Sequence, residues 1–439
     1  MTEYNQERID AFIPRAKGAL LGLALGDALG TTLEFKPKDS YSPITDMVGG
    51  GPFQLEAGQW TDDTSMALCL ADSLLAVGEH HAQDQIVRYL QWRDLGINSV
   101  TRRCFDIGNT VSDALDRYVT TGNPNAGSSG PNSAGNGSLM RLAPVSIFFA
   151  PVKHVELATV LERAKASSVV THAERRAIEG CQIMAWLLYQ VFDGVNCKSS
   201  LFEKLSCAFS DLSEDMSRIT TGSFLTKTRD QIRGTGFVVD SLEAALWCFA
   251  NSENFEQGAL LAASLGDDAD TTTAIYGQLA GAFYGVEQLP LHWLEKLAWR
   301  EKMELTAEML AIIPPISQLS GFFAKMEQQV RHHCQGVSPE SSLGLSSELY
   351  EDFYRANLIL RYYYSEDKPI LFDTEPCESN LSISQFDYTM CLRYITVAIR
   401  SDRFCEGLLD ELEEKGDILA WCQRILQLRQ QYSLEVDEY

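Results

Sequence analysis

An all-α fold is what the sequence predicts, and three observations carry the prediction. Apolar residues recur at three- and four-residue spacing in segment after segment. No convincing run of two-residue alternation occurs before residue 320. Glycines at 18, 22, 26 and 30 fall on one helical face, where they let a second helix approach closely. Such glycines cost helix propensity, so tight packing must compensate.

The first helix carries this stripe with Asp27 beside it, and Glu34 follows near its end. An apolar residue is usual at such a place in a packed bundle, so an acid there is either exposed or functional. The stretch "TDDT" at 61–64 then opens a helical pattern over 65–77. Thr61 suits the cap, and one acid suits the positive end of the helix dipole. Two adjacent acids also repel each other, so a partner is required for the second.

Helical patterns continue over 84–95 and 109–119. The loop "TTGNPNAGSSGPNSAGNG" follows, rich in Gly, Asn, Ser and Pro, and a long irregular loop of this kind is more often functional or disordered than filler. Patterns return over 155–167, 174–192, 198–211, 241–250, 256–265 and 272–284. The last is preceded by "GDDADTT", a second cluster of acids and threonines at a helix start, with glycines at 277, 281 and 285 behind it. Each cluster alone reads as a capped helix. Two that converge would supply carboxylate and hydroxyl oxygens to one or two Mg²⁺ or Mn²⁺ ions, whose charge offsets the repulsion.

Six ordered blocks now resemble the ADP-ribosylglycohydrolase family: "GALLGLALGDALGTTLE" at 18–34, "TDDTSM" at 61–66, "GNGSLMR" at 135–141, Thr171 with His172, "GTGFVVDSLEAALWCF" at 234–249 and "GDDADTT" at 266–272. The resemblance spans roughly residues 15–315 and implies an all-α globule with a two-metal site, usually magnesium or manganese. By position, Thr61, Asp62, Asp63, Asp268, Asp270 and Thr271 match the family's metal ligands. Glu34 matches an acid beside the metals, and Asp63 or Glu34 is implied to act on the water or the leaving group. Gly135, Asn136, Gly137, Ser138 and His172 match segments that line the ADP-ribose cleft. Asp267 stands where many members carry glycine, and Phe237 stands where many carry tyrosine in the cleft.

The implied activity is metal-dependent removal of ADP-ribose from a protein side chain, arginine first. The alternative is a binding or immunity protein that occludes an ADP-ribosylating toxin, with or without hydrolysis. Composition bears on partners and compartment. Sixty acids against 36 bases give a net charge of −24, which argues against a nucleic acid as the main partner. The 11 cysteines form no CxxC pair, which suits a reducing compartment, with cytoplasm as the expectation. The start "MTEYNQERIDAF" lacks a secretory pattern, and the apolar run "GALLGLALGDALG" is shorter than a membrane span and contains Asp27.

The expected domains are 1–318, the glycohydrolase-like part, and 319–439, a smaller and mainly helical appendage without assignable chemistry. Residues 384–439 carry helical spacing, "RYYYSEDKP" at 361–369 fits core, interface or rim, and His332, His333 and Cys334 read as a solvated helix end.

Overall fold

The computed structural model of the chain describes residues 6–334, 382–401 and 415–433, together with Tyr350, Phe353, Leu358 and Leu412. Among the described residues every regular element is helical, and β pairing is limited to three isolated bridges. The helices run α1 (Gln6–Gly30), α2 (Asp62–Val77), α3 (Ala82–Leu95), α4 (Asn109–Thr121), α5 (Ala143–Phe148), α6 (Leu157–Val169), α7 (Arg175–Phe192), α8 (Lys198–Leu205), α9 (Glu214–Thr220), α10 (Val238–Ala250), α11 (Phe255–Ala263), α12 (Ala269–Tyr284), α13 (Leu291–Leu294), α14 (Arg300–Ile312) and α15 (Ser320–Cys334).

The glycine stripe of α1 meets α12. A Cβ at Gly18, Gly22, Gly26 or Gly30 would lie 2.1–2.3 Å from the carbonyl oxygens of Gly281, Gly277, Thr273 and Ala269 respectively. The partner number falls as the first rises, so the two helices run antiparallel and touch once per turn. Backbones this close leave no room for a methyl group. The register is therefore fixed, and it brings the end of α1, with Asp27 and Glu34, beside the acidic start of α12. Helix α12 is buried throughout 269–282 and packs on α7, α10 and α11.

The chain divides into two compact units. The larger consists of Glu7–Leu74 and Ala82–Ala311 and contains every residue of the candidate site. The smaller takes Leu75–His81 and the chain from Ile312 onward. Within it, Ile316 N donates to Gly78 O at 2.8 Å, and Thr389 Oγ1 donates to Leu75 O. Helices Tyr388–Ser401 and Asp417–Ser433 pack together, with Tyr394 stacked near Phe386 and Trp421. Cys334 is exposed at the end of α15. The tyrosine-rich stretch 361–369 and the side chains of His332 and His333 lie outside the described residues.

Among the described residues one stretch, Arg300–Arg331, is long and apolar enough by composition to cross a membrane. It is broken at Pro314 and Pro315, and most of its apolar window is buried in the folded chain, as in a core helix.

Candidate metal centre and cleft

Asp27 supplies the cap of α2 from a different helix. Its Oδ1 accepts hydrogen bonds from Thr61 N at 2.8 Å and Thr61 Oγ1 at 2.9 Å. Its Oδ2 accepts from Thr64 N at 3.0 Å and Thr64 Oγ1 at 2.7 Å. Burial pushes the Asp27 carboxyl up in pKa, and these four bonds pull the other way. With the Thr61 and Thr64 N–H groups taken by Asp27, the carboxylates of Asp62 and Asp63 are not needed to cap them. Thr61 Oγ1 also lies 3.2 Å from both Asp63 Oδ2 and Asp270 Oδ2, although one hydroxyl proton cannot serve three carboxylates.

The second acidic start does not cap either. Asp268 sits at the N-cap of α12 without a side-chain capping bond, and its Oδ2 accepts from Asn136 Nδ2 at 2.7 Å instead. Thr271 Oγ1 reaches Asp63 Oδ2 at 3.4 Å. The two clusters therefore converge. A backbone clasp holds them: Phe35 N donates to Asp267 O at 2.7 Å and Asp267 N donates to Lys36 O at 2.8 Å. Both residues are left-handed, with φ of 59° and 54°, a strain of about 1 kcal/mol each for a residue with a Cβ. Position 267 is thus one where glycine would fit without strain, as the family resemblance implies.

Burial and neighbouring carboxylates raise the pKa values of Asp62, Asp63 and Asp270 well above the usual range. Glu34 is pushed up to about 9 by burial and then by Asp106 and Asp268. Asp106, raised to about 7 by burial and Asp268, is a site acid that the sequence reading missed. Carboxylate oxygens of Asp27, Asp63 and Asp270 lie within 4.8 Å of one another, as do those of Glu34, Asp106 and Asp270. Asp63 Oδ1 and Asp270 Oδ1 are buried without a hydrogen-bond partner. Orphaned carboxylate oxygens flanked by threonine hydroxyls are the donor set that a hard divalent cation takes, so the residues fit one.

Above this floor lies a cleft of about 940 Å³. Its walls include Glu34, Asp62, Asp106, Asp268 and Thr271 from the acidic set, Gly135, Asn136, Gly137 and His172 from the predicted substrate side, and Arg233. Ser138 and Phe237, expected to line the cleft, are not among its wall residues. Ser138 is buried and its Oγ accepts from Ser168 Oγ at 2.8 Å, while the Phe237 ring lies under Arg176 at 5.1 Å. Their backbone roles differ: Phe237 pairs with Gly135 in one of the isolated bridges and places that glycine at the cleft. The start of α4, from Gly108 to Val111, also faces the cleft and has no side-chain cap.

The sequence model of the ADP-ribosylglycohydrolase family matches residues 9–317. An ADP-ribosylarginine hydrolase, Tri1 of Pseudomonas putida (strain GB-1), is 46% identical over 308 residues, which cover 70% of this chain and 81% of Tri1. The chain belongs to the ADP-ribosylglycohydrolase family. This glycohydrolase is also 31% identical, over 68% of its length and 95% of the relative's, to the ADP-ribosyl-[dinitrogen reductase] glycohydrolase of Rhodospirillum rubrum. A solved ADP-ribosylglycohydrolase-related protein complex shares its fold with a TM-score of 0.60 and 41% identity, over 70% of this glycohydrolase and 99% of that chain. Residues 302–431 match a second family, one of unknown function (DUF6508).

Proposed function

We propose that the chain hydrolyses the bond between ADP-ribose and an arginine side chain of a modified protein, using Mg²⁺ or Mn²⁺ held by Thr61, Asp62, Asp63, Asp268, Asp270 and Thr271. The observation that carries this reading is the convergence of two acidic helix starts, with Asp63 Oδ1 and Asp270 Oδ1 buried and unpartnered. Arginine is supported by the names of the Pseudomonas relative and of a second ADP-ribosylarginine hydrolase, Tri1 of Serratia proteamaculans (strain 568), 42% identical over 69% of this chain and 80% of its own. Two acidic groups that share Asp270 favour two ions. Nine described cysteines, all free thiols, favour a reducing compartment such as the cytoplasm.

Hydrolysis breaks the bond from ribose C1″ to the guanidine nitrogen, adds the hydroxyl of water to C1″ and sends a proton out with the guanidine. The carbon is cationic at the transition state, and carboxylates on the wall stabilise it. When bound, a divalent cation offsets carboxylate repulsion and orients the ribose hydroxyls. Glu34 and Asp106 line the wall, and with a divalent cation offsetting the neighbouring carboxylates that raise their pKa values they would take the proton from water. Asp63 lies fully buried beneath, held by Thr61 and Thr271, and serves as a ligand. The uncapped start of α4, the glycine backbone at 135 and 137, and Arg233 supply the positive potential for the diphosphate.

The deciding experiment measures ADP-ribose release from ADP-ribosyl-arginine and ADP-ribosyl-serine peptides, with and without chelator. Release from the arginine linkage that chelation abolishes is expected. Release from neither linkage, or release indifferent to chelation, would overturn the reading.

A further inference from the structure

Arg141 is fully buried, and its partners among the described residues are all uncharged. Nη1 donates to Gly137 O at 2.8 Å and approaches Met66 Sδ, Nη2 donates to Thr171 Oγ1 at 2.7 Å, and the guanidinium lies over the Tyr89 ring at 4.6 Å. A buried cation with no counter-ion among the described residues is costly, so it is retained for something other than stability. Its two hydrogen-bonded arms reach both segments that line the substrate side of the cleft, Gly137 and the Thr171–His172 pair.

Thr171 Oγ1 lies 2.8 Å from His172 Nδ1. Which of the two atoms donates follows from counting protons. Arginine only donates, so Oγ1 accepts from Arg141. Thr171 is fully buried, and its own hydroxyl proton needs an acceptor, which among the described residues is Nδ1. Nδ1 is therefore bare and the ring proton sits on Nε2. A charged ring is disfavoured as well, because burial and then Arg141 lower the His172 pKa to about 3. Nε2 makes no hydrogen bond to a described residue, and the ring lines the cleft. Glycines keep that edge open: a Cβ at Gly135 or Gly137 would stand 3.2 or 3.3 Å from Nε2.

We propose that Arg141 and Thr171 are positioning residues that fix His172 as a neutral ring, so that its Nε2–H is donated into the cleft to an acceptor oxygen of the ADP-ribosyl group. The inference rests on the function proposed above and adds a specificity device to it. A neutral histidine with a set tautomer recognises a hydroxyl or phosphate oxygen at any physiological pH, whereas an unrestrained ring would present a lone pair part of the time. A histidine that merely fills the core would leave substrate affinity indifferent to the Thr171 hydroxyl.

The test uses full-length protein labelled with ¹⁵N-histidine, with the His172 signals among the seven histidines assigned by their loss in His172→Gln. Long-range proton–nitrogen correlations should show a bare Nδ1 and a protonated Nε2, unchanged from about pH 5 to 8, with Nε2–H shifting when ADP-ribose is added. Thr171→Val should mix the tautomers and weaken ADP-ribose binding on the order of tenfold, with the loss in KM rather than kcat, and Thr171→Ser should restore both. A proton on Nδ1 in the wild type would overturn the proposal, and that spectrum decides even where Thr171→Val does not fold. So would a folded Thr171→Val with wild-type affinity. Failure of the wild type itself to bind ADP-ribose would instead overturn the proposed function, and this inference with it.

Discussion

Asp106 reaches the cleft wall from an irregular segment ahead of α4, in a left-handed conformation with φ of 58°, and meets Glu34 and Asp270 there. Without a cation its folded pKa of about 7 lies above the ordinary carboxylate value, chiefly because of burial and then Asp268. The folded chain then keeps a proton that the unfolded chain gives up above about pH 4. The stability contributed by the protonated form is present at low pH and lost as pH rises to about 7. In chelator, Asp106→Asn should therefore match the wild type near pH 4 in thermal melts. It should be more stable near pH 8, by on the order of 4 kcal/mol for a pKa raised from about 4 to about 7. A gap independent of pH would contradict this. The ligand acids were legible in the sequence because each stands in a cluster at a helix start. Asp106 was not, since nothing in "CFDIGN" sets a lone aspartate apart from a loop residue. Asp27 was legible only as an anomaly; that it caps a helix from another element is a tertiary fact.

Helices α1 and α12 are the elements on which the site depends, through contacts that leave no space for a side chain. At Gly22 a Cβ would lie 2.3 Å from Gly277 O, so Gly22→Ala must push the helices apart and should cost about 1–3 kcal/mol in chemical denaturation. Gly321, exposed near the start of α15, has nothing within 4 Å of an added Cβ. Gly321→Ala should gain up to about 1 kcal/mol from helix propensity alone. Equal effects at the two positions would show that the ladder does not set the packing. The glycine spacing announced a close helix pair, but not the register that brings Glu34 toward Asp268. Helices α3, α4, α6 and α7 were read nearly to their ends, whereas α14 went unread and α5, α9 and α13 went unseen because so few residues display little of a 3.6-residue period. The pattern over 198–211 ends as helix at Leu205, where the chain leaves α8 for an irregular connection.

At the scale of the molecule, the family match ends at 317, near the expected boundary at 318, yet Leu75–His81 groups with the chain beyond Ile312. That pairing was illegible because it joins segments more than two hundred residues apart through contacts such as Ile316 N to Gly78 O. The larger unit brings Thr61, Asp62 and Asp63 together with Asp268, Asp270 and Thr271 across a similar interval, and metal-dependent hydrolysis requires that this convergence be a cation site. The direct measurement is calorimetric titration of Mg²⁺ into the metal-stripped full-length protein and into Asp62→Asn and Asp268→Asn. Asparagine caps a helix about as well as aspartate but is a poorer ligand for a hard cation. The wild type should bind Mg²⁺, and each variant should bind it on the order of tenfold or more weakly while remaining folded. No binding by the wild type, or equal binding by all three proteins, would contradict the account and leave the two acidic starts as ordinary helix ends.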